Sequence, residues 1–271
     1  MDKKPTVSII IPIYNGQDFI DLTITSVIEQ TYVDWELIII DDGSTDDSSK
    51  IINNFVNIDK RIRKIRLNES SGGPAYPRNV GIKEACGNYL AFLDADDIWD
   101  ENKLELQMGY IERYGIDFLH CDTEYIDIRG KKSGVIKKSK IYSILKKFFG
   151  DSFAILAINP ITLSSCIVKN TKNISFRTES TFHAIEDWFL WIDLSLGGRR
   201  LHKLNKTLVY YRVHDSSISI ANGLQQYFKG FSLYSLLLVE KKINLINFII
   251  LIGIHIFRII KYKIVGRNHK S

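Results

Sequence analysis

Apolar residues follow two rhythms along this chain. Val7 to Ile11, Leu37 to Ile40 and Tyr89 to Leu93 are short unbroken runs, the pattern of strands buried on both faces. Between them apolar residues recur at helical spacing: Ile20, Ile24, Val27 and Ile28, then Ile51 and Ile52, then Leu104, Met108 and Ile111. Ser44 or Thr45 is placed to cap the helix through Ile51, and Arg78 to Ala85 reads as a further helix. Ile62 to Leu67 is a more polar strand, and Asp117 to Cys121 another. This alternation predicts an α/β fold, a mostly parallel Rossmann-like sheet with helices on both faces. In such sheets ligands bind beyond the carboxyl ends of the strands. Tyr14-Asn15, Asp41-Asp42 and Asp94 to Asp97 all fall there.

The second half is less regular. Ile161 to Val168 and Thr207 to Arg212 read as strands, and Glu186 to Leu196 as a helix ended by Gly197-Gly198. After Asn222 the pattern is helical to the end. Within Ile243 to Ile260, Asn244, Asn247, His255 and Arg258 form a narrow polar stripe on one helical face, and the rest of the circumference is apolar apart from Gly253. A spanning helix needs roughly 20 predominantly apolar residues. This shorter, striped run is expected to lie in a membrane interface, with docking on the protein's own core or on a second subunit as the alternative.

The 271 residues, 45% of them apolar, suffice for one large α/β domain with an appendage. The net charge of +5 is unevenly spread. Gly130 to Lys147 holds seven lysines and no acid, and the tail from Lys261 adds Lys263, Arg267 and Lys270, again without an acid. Such segments suit an anionic membrane surface, although Gly130 to Lys147 taken alone reads as a solvated lysine face; the sequence motifs of nucleic-acid readers are missing, so no nucleic-acid partner is expected. Cys86, Cys121 and Cys166 are odd in number and far apart, which argues against a disulfide framework or a zinc site. The N-terminus has no signal-peptide apolar region, and a reducing cytosol is the expected compartment.

The chemistry concentrates at Leu90 to Trp99, where a buried apolar run ends in Asp94, Asp96 and Asp97. Carboxylates crowded at the end of a buried strand repel one another and lose hydration, and a divalent cation holding a diphosphate would offset both. Neither Gly-x-Gly-x-x-Gly after the first strand nor Gly-x-x-x-x-Gly-Lys-Ser/Thr occurs, which disfavours a Rossmann dehydrogenase and a P-loop NTPase.

The motifs that are present resemble glycosyltransferase family 2, the inverting nucleotide-sugar transferases. They are Val7-Ser8-Ile9-Ile10-Ile11-Pro12-Ile13-Tyr14-Asn15, Trp35 through Asp46 with Asp41-Asp42-Gly43-Ser44, Gly73-Pro74-Ala75-x-x-Arg78-Asn79-x-Gly81, Asp94-Ala95-Asp96-Asp97, Glu186-Asp187-Trp188 and Tyr211-Arg212-Val213-His214. Together, in this order and at strand ends, they cover about residues 5 to 220. Tyr76 and Pro77 depart from the small residues usual there.

The resemblance implies a GT-A nucleotide-diphospho-sugar transferase fold over residues 1–222, with nucleotide binding in 1–125 and acceptor binding in 126–222. A helical basic and apolar tail, a membrane-associating segment, would occupy 223–271. It implies that Asp42 accepts the uracil N3–H with Asp41 nearby, that Pro12 and Tyr14 flank the base, and that Arg78 and Arg212 pair with phosphate or nucleoside. Asp96 would bind Mn²⁺ or Mg²⁺, joined by His214; Asp94 would contact ribose or a metal-bound water, and Asp97 would orient the loop or touch the sugar. Asp94 and Asp96 are expected on the same side of an extended segment. Asp187 is the expected general base, with Glu186 as the alternative; Asp46 is expected to be a helix cap. Trp99, Trp188 and Trp191 suit either a sugar face or the core, and Ser217 and Ser219 lie in a loop placed to fold over the donor. The implied reaction moves a hexose, glucose or galactose, from a UDP-sugar to a polyprenyl-diphosphate-linked sugar. It forms a β-glycosidic bond for bacterial O-antigen or capsule at the cytoplasmic face of the inner membrane, with peripheral attachment. The alternatives are a nucleotidyltransferase and a catalytically inactive nucleotide-sugar-binding relative.

Overall fold

The computed structural model describes residues 5–135, 140–171, 173–214 and 223–267, with side chains left undescribed at 135, 140, 223–227 and 261–267. Ser217 and Ser219, and several of the basic residues noted above, lie outside what is described. The chain forms two compact units. The first comprises Met1–Lys137, Ile161–Thr178 and Arg199–His214; the second comprises Lys138–Pro160, Glu179–Gly198 and Asp215–Ser271.

The first unit carries the sheet. Its elements are β1 (Val7–Ile13), α1 (Ile20–Ile28), β2 (Trp35–Asp41), α2 (Ser48–Ile58), β3 (Ile62–Arg66), α3 (Ala75–Glu84), β4 (Tyr89–Phe92), β5 (Ile98–Trp99), α4 (Lys103–Tyr114), β6 (Phe118–Ile126) and β7 (Lys132–Val135). A 3-10 turn, Leu163–Ser165, then leads into β8 (Cys166–Lys169), and β9 (His202–Arg212) completes the unit. The strand order is β3-β2-β1-β4-β8-β6-β9-β5, with β7 on the side of β6. β3, β2, β1 and β4 are parallel, as the alternation predicts. The other half is mixed, because β8 enters antiparallel between β4 and β6 and β5 runs antiparallel to β9. The expected mostly parallel sheet therefore holds for its first half.

Period-two alternation on β1 explains the layers. Ile9, Ile11 and Ile13 face a core built with Ile20, Ile24 and Val27 of α1, Ile52 of α2, and Leu104 and Met108 of α4. Ile10 points the other way and meets Gly81 of α3. Helices thus cover both faces, and each fully buried Leu or Ile contributes about 1.5–3 kcal/mol. Pro12 sits in this central strand without cost to the ladder. β4 stops pairing at Phe92 opposite Ile10, so the side on which Pro12 lacks an N–H has no strand beside it. The N-cap position of α2 is Asp47, whose side chain makes no capping bond; Asp46, one residue earlier, accepts from the Ser48 N–H at 3.0 Å, and the expected caps Ser44 and Thr45 lie further upstream.

Lys103 breaks the apolar pattern of α4. It is fully buried, its Nζ lies 3.8 Å from the Trp99 ring centroid, and that nitrogen has no hydrogen-bond partner. The cation's attraction to the indole face compensates part of its lost hydration.

The second unit is helical among its described residues: α5 (Lys140–Ala157, broken at Gly150), a 3-10 turn at Ser180–Phe182, α6 (Glu186–Leu196), α7 (Gly223–Val239) and α8 (Leu245–Arg267). The helical tail is interrupted after Val239, and Asn244 restarts it by accepting from the Asn247 N–H at 2.8 Å. The stripe turns inward at His255 and Arg258, whereas Asn244, just before α8, is exposed. His255 is buried between the Phe231 and Tyr234 rings, over Gly230, where a Cβ would stand 2.3 Å from the imidazole. Arg258 Nη1 donates to the Ala157 carbonyl at 2.9 Å, closing the end of α5. The opposite arc, Leu245, Ile246, Ile249, Ile250, Ile256, Phe257 and Ile260, is 41% to 69% exposed. Among the described residues no helix is long and apolar enough to cross a membrane.

Burial pulls the Lys103 ammonium down from 10.5 to about 8. Between those two values the unfolded chain binds more protons than the folded one, so stability should rise with pH there. Lys103→Met is expected to stabilise the protein by about 1–3 kcal/mol at pH 7, a gain that shrinks toward pH 10.5. Urea titrations of both proteins at pH 7, 8.5 and 10 measure this.

Candidate active site

The ends of β1, β2 and β4 present the residues singled out in the sequence, and hydrogen bonds between side chains and turns fix their positions. Asn15, with φ 50°, donates its N–H to Ser44 Oγ at 3.1 Å and accepts from the Thr45 N–H at 2.8 Å. This staples the end of β1 to the turn after β2. Pro12 is buried, and Tyr14 stands half exposed at the strand end. Of the two residues expected to flank a base, Tyr14 has the open face.

Asp41 is fully buried. Its Oδ1 accepts from the Ser44 N–H at 2.8 Å and its Oδ2 pairs with Arg66 Nη1 at 2.6 Å. Arg66 also donates to the Ser44 carbonyl. The expected place beside the nucleoside is corrected: Asp41 braces the turn that carries Asp42. Asp42 accepts from Ser70 Oγ and from the N–H and Oγ of Ser71, at 3.0–3.1 Å.

Arg78, on the first turns of α3, is almost wholly buried and pairs with Asp94 at 2.7 Å. Its guanidinium lies 5.3 Å from the Phe176 ring centroid. Residues 94–97 form a tight turn closed by the Asp97 N–H on the Asp94 carbonyl, 3.1 Å, in place of the expected extended segment. Asp96 Oδ2 and His214 Nε2 face each other at 2.9 Å, and Phe19 lies against the imidazole.

Asp97 and Arg212 are buried and act within the protein. Asp97 accepts from Ser164 Oγ at 2.5 Å and from the Arg212 N–H at 3.1 Å. Burial, then the charges of Asp96 and Asp94, push its carboxyl well above the usual carboxylate range. Ser164 Oγ also accepts from the Asp94 N–H, so one hydroxyl ties both ends of the turn. Arg212 Nε donates to the Asp96 carbonyl, and its Nη1 donates to those of Asp127 and Ile128. The expected contacts of Asp97 with sugar and of Arg212 with phosphate are corrected, since neither group reaches the surface; they position Asp96.

Asp187 belongs to the second unit, in the first turn of α6. Its Oδ2 accepts from Asn159 Nδ2 at 2.9 Å and its Oδ1 from the Trp188 N–H at 2.7 Å, and the helix N-terminus favours its negative charge. Glu186 beside it is buried. Trp99, Trp188 and Trp191 are core residues; the indoles of Trp99 and Trp188 donate to the carbonyls of Ser164 and Ile155. Sequence reasoning missed Arg66, Ser70, Ser71, Ser164 and Asn159. The one available signal was a serine pair, Ser164-Ser165, inside an apolar run.

Among the described residues no cluster of three His, Cys, Asp or Glu side chains could hold a metal unaided. The Asp96–His214 pair nonetheless suits Mn²⁺ or Mg²⁺, because two protein ligands leave positions for diphosphate oxygens and water.

Fold and site together define a GT-A nucleotide-sugar transferase architecture. The profile of glycosyl transferase family 2 matches residues 8–167, and the chain belongs to that family. It is 37% identical over 154 residues to an uncharacterized Haemophilus influenzae glycosyltransferase, covering 57% of this chain and 61% of that one. It is 34% identical to WfgD of Escherichia coli, a UDP-Glc:α-D-GlcNAc-diphosphoundecaprenol β-1,3-glucosyltransferase, over 79% of each protein. S. aureus TarS 1-349, solved with UDP-GlcNAc, superposes with a TM-score of 0.68 at 21% identity, covering 86% of this chain and 66% of that one.

If Arg212 serves the turn rather than a ligand, Arg212→Lys should lower the free energy of unfolding by about 2–3 kcal/mol, because an ammonium cannot fork onto three carbonyls. Urea titration of the ligand-free protein tests this, and a phosphate-binding role alone predicts little change there.

Proposed function

We propose that this chain is a metal-dependent inverting glycosyltransferase. It moves glucose or galactose from a UDP-sugar to a polyprenyl-diphosphate-linked sugar and forms a β-glycosidic bond in bacterial O-antigen or capsule synthesis. The observation that carries this reading is the Asp96–His214 pair, facing at 2.9 Å at the carboxyl end of a family 2 sheet. The similarity to WfgD over 79% of both chains supports the donor and acceptor classes. Residues 1–125 are assigned to the donor, 126–222 to the acceptor and 223–271 to a membrane-facing tail.

Asp42 accepts the uracil N3–H, which a cytosine or adenine edge lacks at that position. Tyr14 covers the base, Asp94 takes a ribose hydroxyl, and Arg78 holds Asp94 in place through their ion pair. Asp96 and His214 hold Mn²⁺ or Mg²⁺, which when bound offsets the charge growing on the departing UDP. Asp187 takes the proton of the acceptor hydroxyl as that oxygen attacks the anomeric carbon opposite the leaving group, so an α-linked donor yields a β-glycoside. Asn159 and the Trp188 N–H orient its carboxylate.

A lipid-linked acceptor requires the enzyme at a bilayer, and a UDP donor puts that work on the cytoplasmic face. The outward apolar arc of α8 supports a lipid surface as its occupant. Lys242, before the arc, is paired with Asp193 and Glu240, whereas Lys261, Lys263 and Arg267 follow the arc in sequence without an acid among them. Anionic headgroups match that basic run, whereas a second copy packed in parallel would repel it.

Transfer from UDP-[¹⁴C]glucose or UDP-[¹⁴C]galactose to a synthetic undecaprenyl-diphosphate GlcNAc should require Mn²⁺ or Mg²⁺ and cease with EDTA. It should fall at least about a hundredfold in Asp96→Ala and in Asp187→Asn. Retained transfer in either variant refutes its assigned role, and diphosphate release instead of UDP indicates nucleotidyl transfer.

Co-sedimentation with vesicles containing phosphatidylglycerol is expected for the intact protein and lost in Ile249→Glu/Phe257→Glu. A salt-insensitive dimer without vesicle binding assigns the arc to a second copy.

A further inference from the structure

The segment after β3 lies on Asp42 in a way the donor reading does not require. Gly43 has φ 74°, and a Cβ there would stand 2.9 Å from the backbone of Glu69 and Ser70, so the segment rests flush against the turn. The Leu67 N–H donates to the Asp41 carbonyl and anchors its start. Ser70 Oγ accepts from the Gly72 N–H at 3.3 Å, which turns its hydrogen toward Asp42 Oδ2 at 3.1 Å. Ser71 shares its N–H between both carboxylate oxygens, and its hydroxyl reaches Asp42 Oδ2 and the Gly73 carbonyl, both at 3.0 Å. An ionised carboxylate offers about four acceptor sites. The two hydroxyls converge on Oδ2, while Oδ1 meets the shared Ser71 N–H alone among these donors.

We propose that Ser70 and Ser71 are positioning residues that set the base selectivity of the donor pocket. Asp42 is almost wholly buried, and by holding Oδ2 they leave Oδ1 as the one oxygen turned to the base, in a fixed direction that strengthens its bond to uracil N3–H and gains nothing from the lone pair of cytosine N3. This rests on the reading of Asp42 as the base acceptor and adds to it the reason the acceptor discriminates. The same arrangement makes a second demand. In Asp42→Asn the Ser71 N–H, 3.0–3.1 Å from both oxygen positions, and serine hydroxyls that accept as well as donate leave neither amide orientation fixed, so the preference for UDP is expected to be lost.

The test is calorimetric binding of UDP and CDP to the full chain, in the presence of Mn²⁺, for wild type, S70A/S71A, S71T, D42N and D42N/S70A/S71A. Wild type is expected to prefer UDP. S70A/S71A should weaken UDP about three- to tenfold and CDP less, narrowing the preference, and S71T should retain it. D42N should bind UDP and CDP about equally, with or without the serines, because an amide has no fixed acceptor to present. Circular dichroism melts confirm that each variant is folded.

Tighter UDP binding by S70A/S71A would overturn the proposal, since the serines would then be competitors for Asp42 rather than its support. So would an unchanged UDP-to-CDP ratio in S70A/S71A. If D42N itself leaves the ratio untouched, Asp42 is not the base acceptor, and the failure lies with the donor reading instead.

Discussion

A carboxylate removed from water holds the candidate donor site together. Asp97 has no route to solvent, so its two oxygens must be satisfied inside, and they are met by Ser164 and the backbone of β9. Arg212 completes the knot by gripping three carbonyls, one of them that of Asp96. The turn between β4 and β5 is thereby tied to β9 and to the 3-10 turn before β8. Asp96 and His214 meet because the strand ends that carry them are bound through these buried groups. Losing a partner here leaves polar atoms stranded in the interior, a heavier penalty than losing the same bond at the surface.

The same neighbourhood shows how far the chain's order could be read in advance. Unbroken Val and Ile runs told of the parallel strands, and helical spacing told of α1 and α4, because burial on both faces or on one face writes itself into residue type. The acids at strand ends marked the right turns. Which acid faces a ligand and which faces the core could not be read, because that depends on partners distant in sequence. Asp41 finds Arg66, 25 residues on, and Asp97 finds Ser164, 67 residues on. Arg212 looked like a phosphate ligand for the same reason: a guanidinium suits phosphate and backbone carbonyls alike, and the tertiary structure decides between them. The antiparallel entry of β8 was equally hidden, since four residues carry no statement of direction.

In α8 the polar stripe was legible and its sense was not. Amphipathicity fixes that two faces differ, and in a water-soluble helix the polar one turns outward. Here His255 and Arg258 find an aromatic slot and the open carbonyl of Ala157, so their polarity is used internally and the apolar arc is left outside. A helix with this inverted pattern reports on the medium around it as much as on its own core.

The cysteines offer a practical handle. Cys121 and Cys166 lie within the sheet, where burial pushes both thiols up, the former to about 11, while Cys86 sits on the surface at the end of α3. Thiol reagents act on the thiolate and need access to it. A maleimide dye added to the native protein would therefore attach at one place, giving a singly labelled enzyme without any engineered cysteine, and the appearance of two further adducts would mark loss of the sheet.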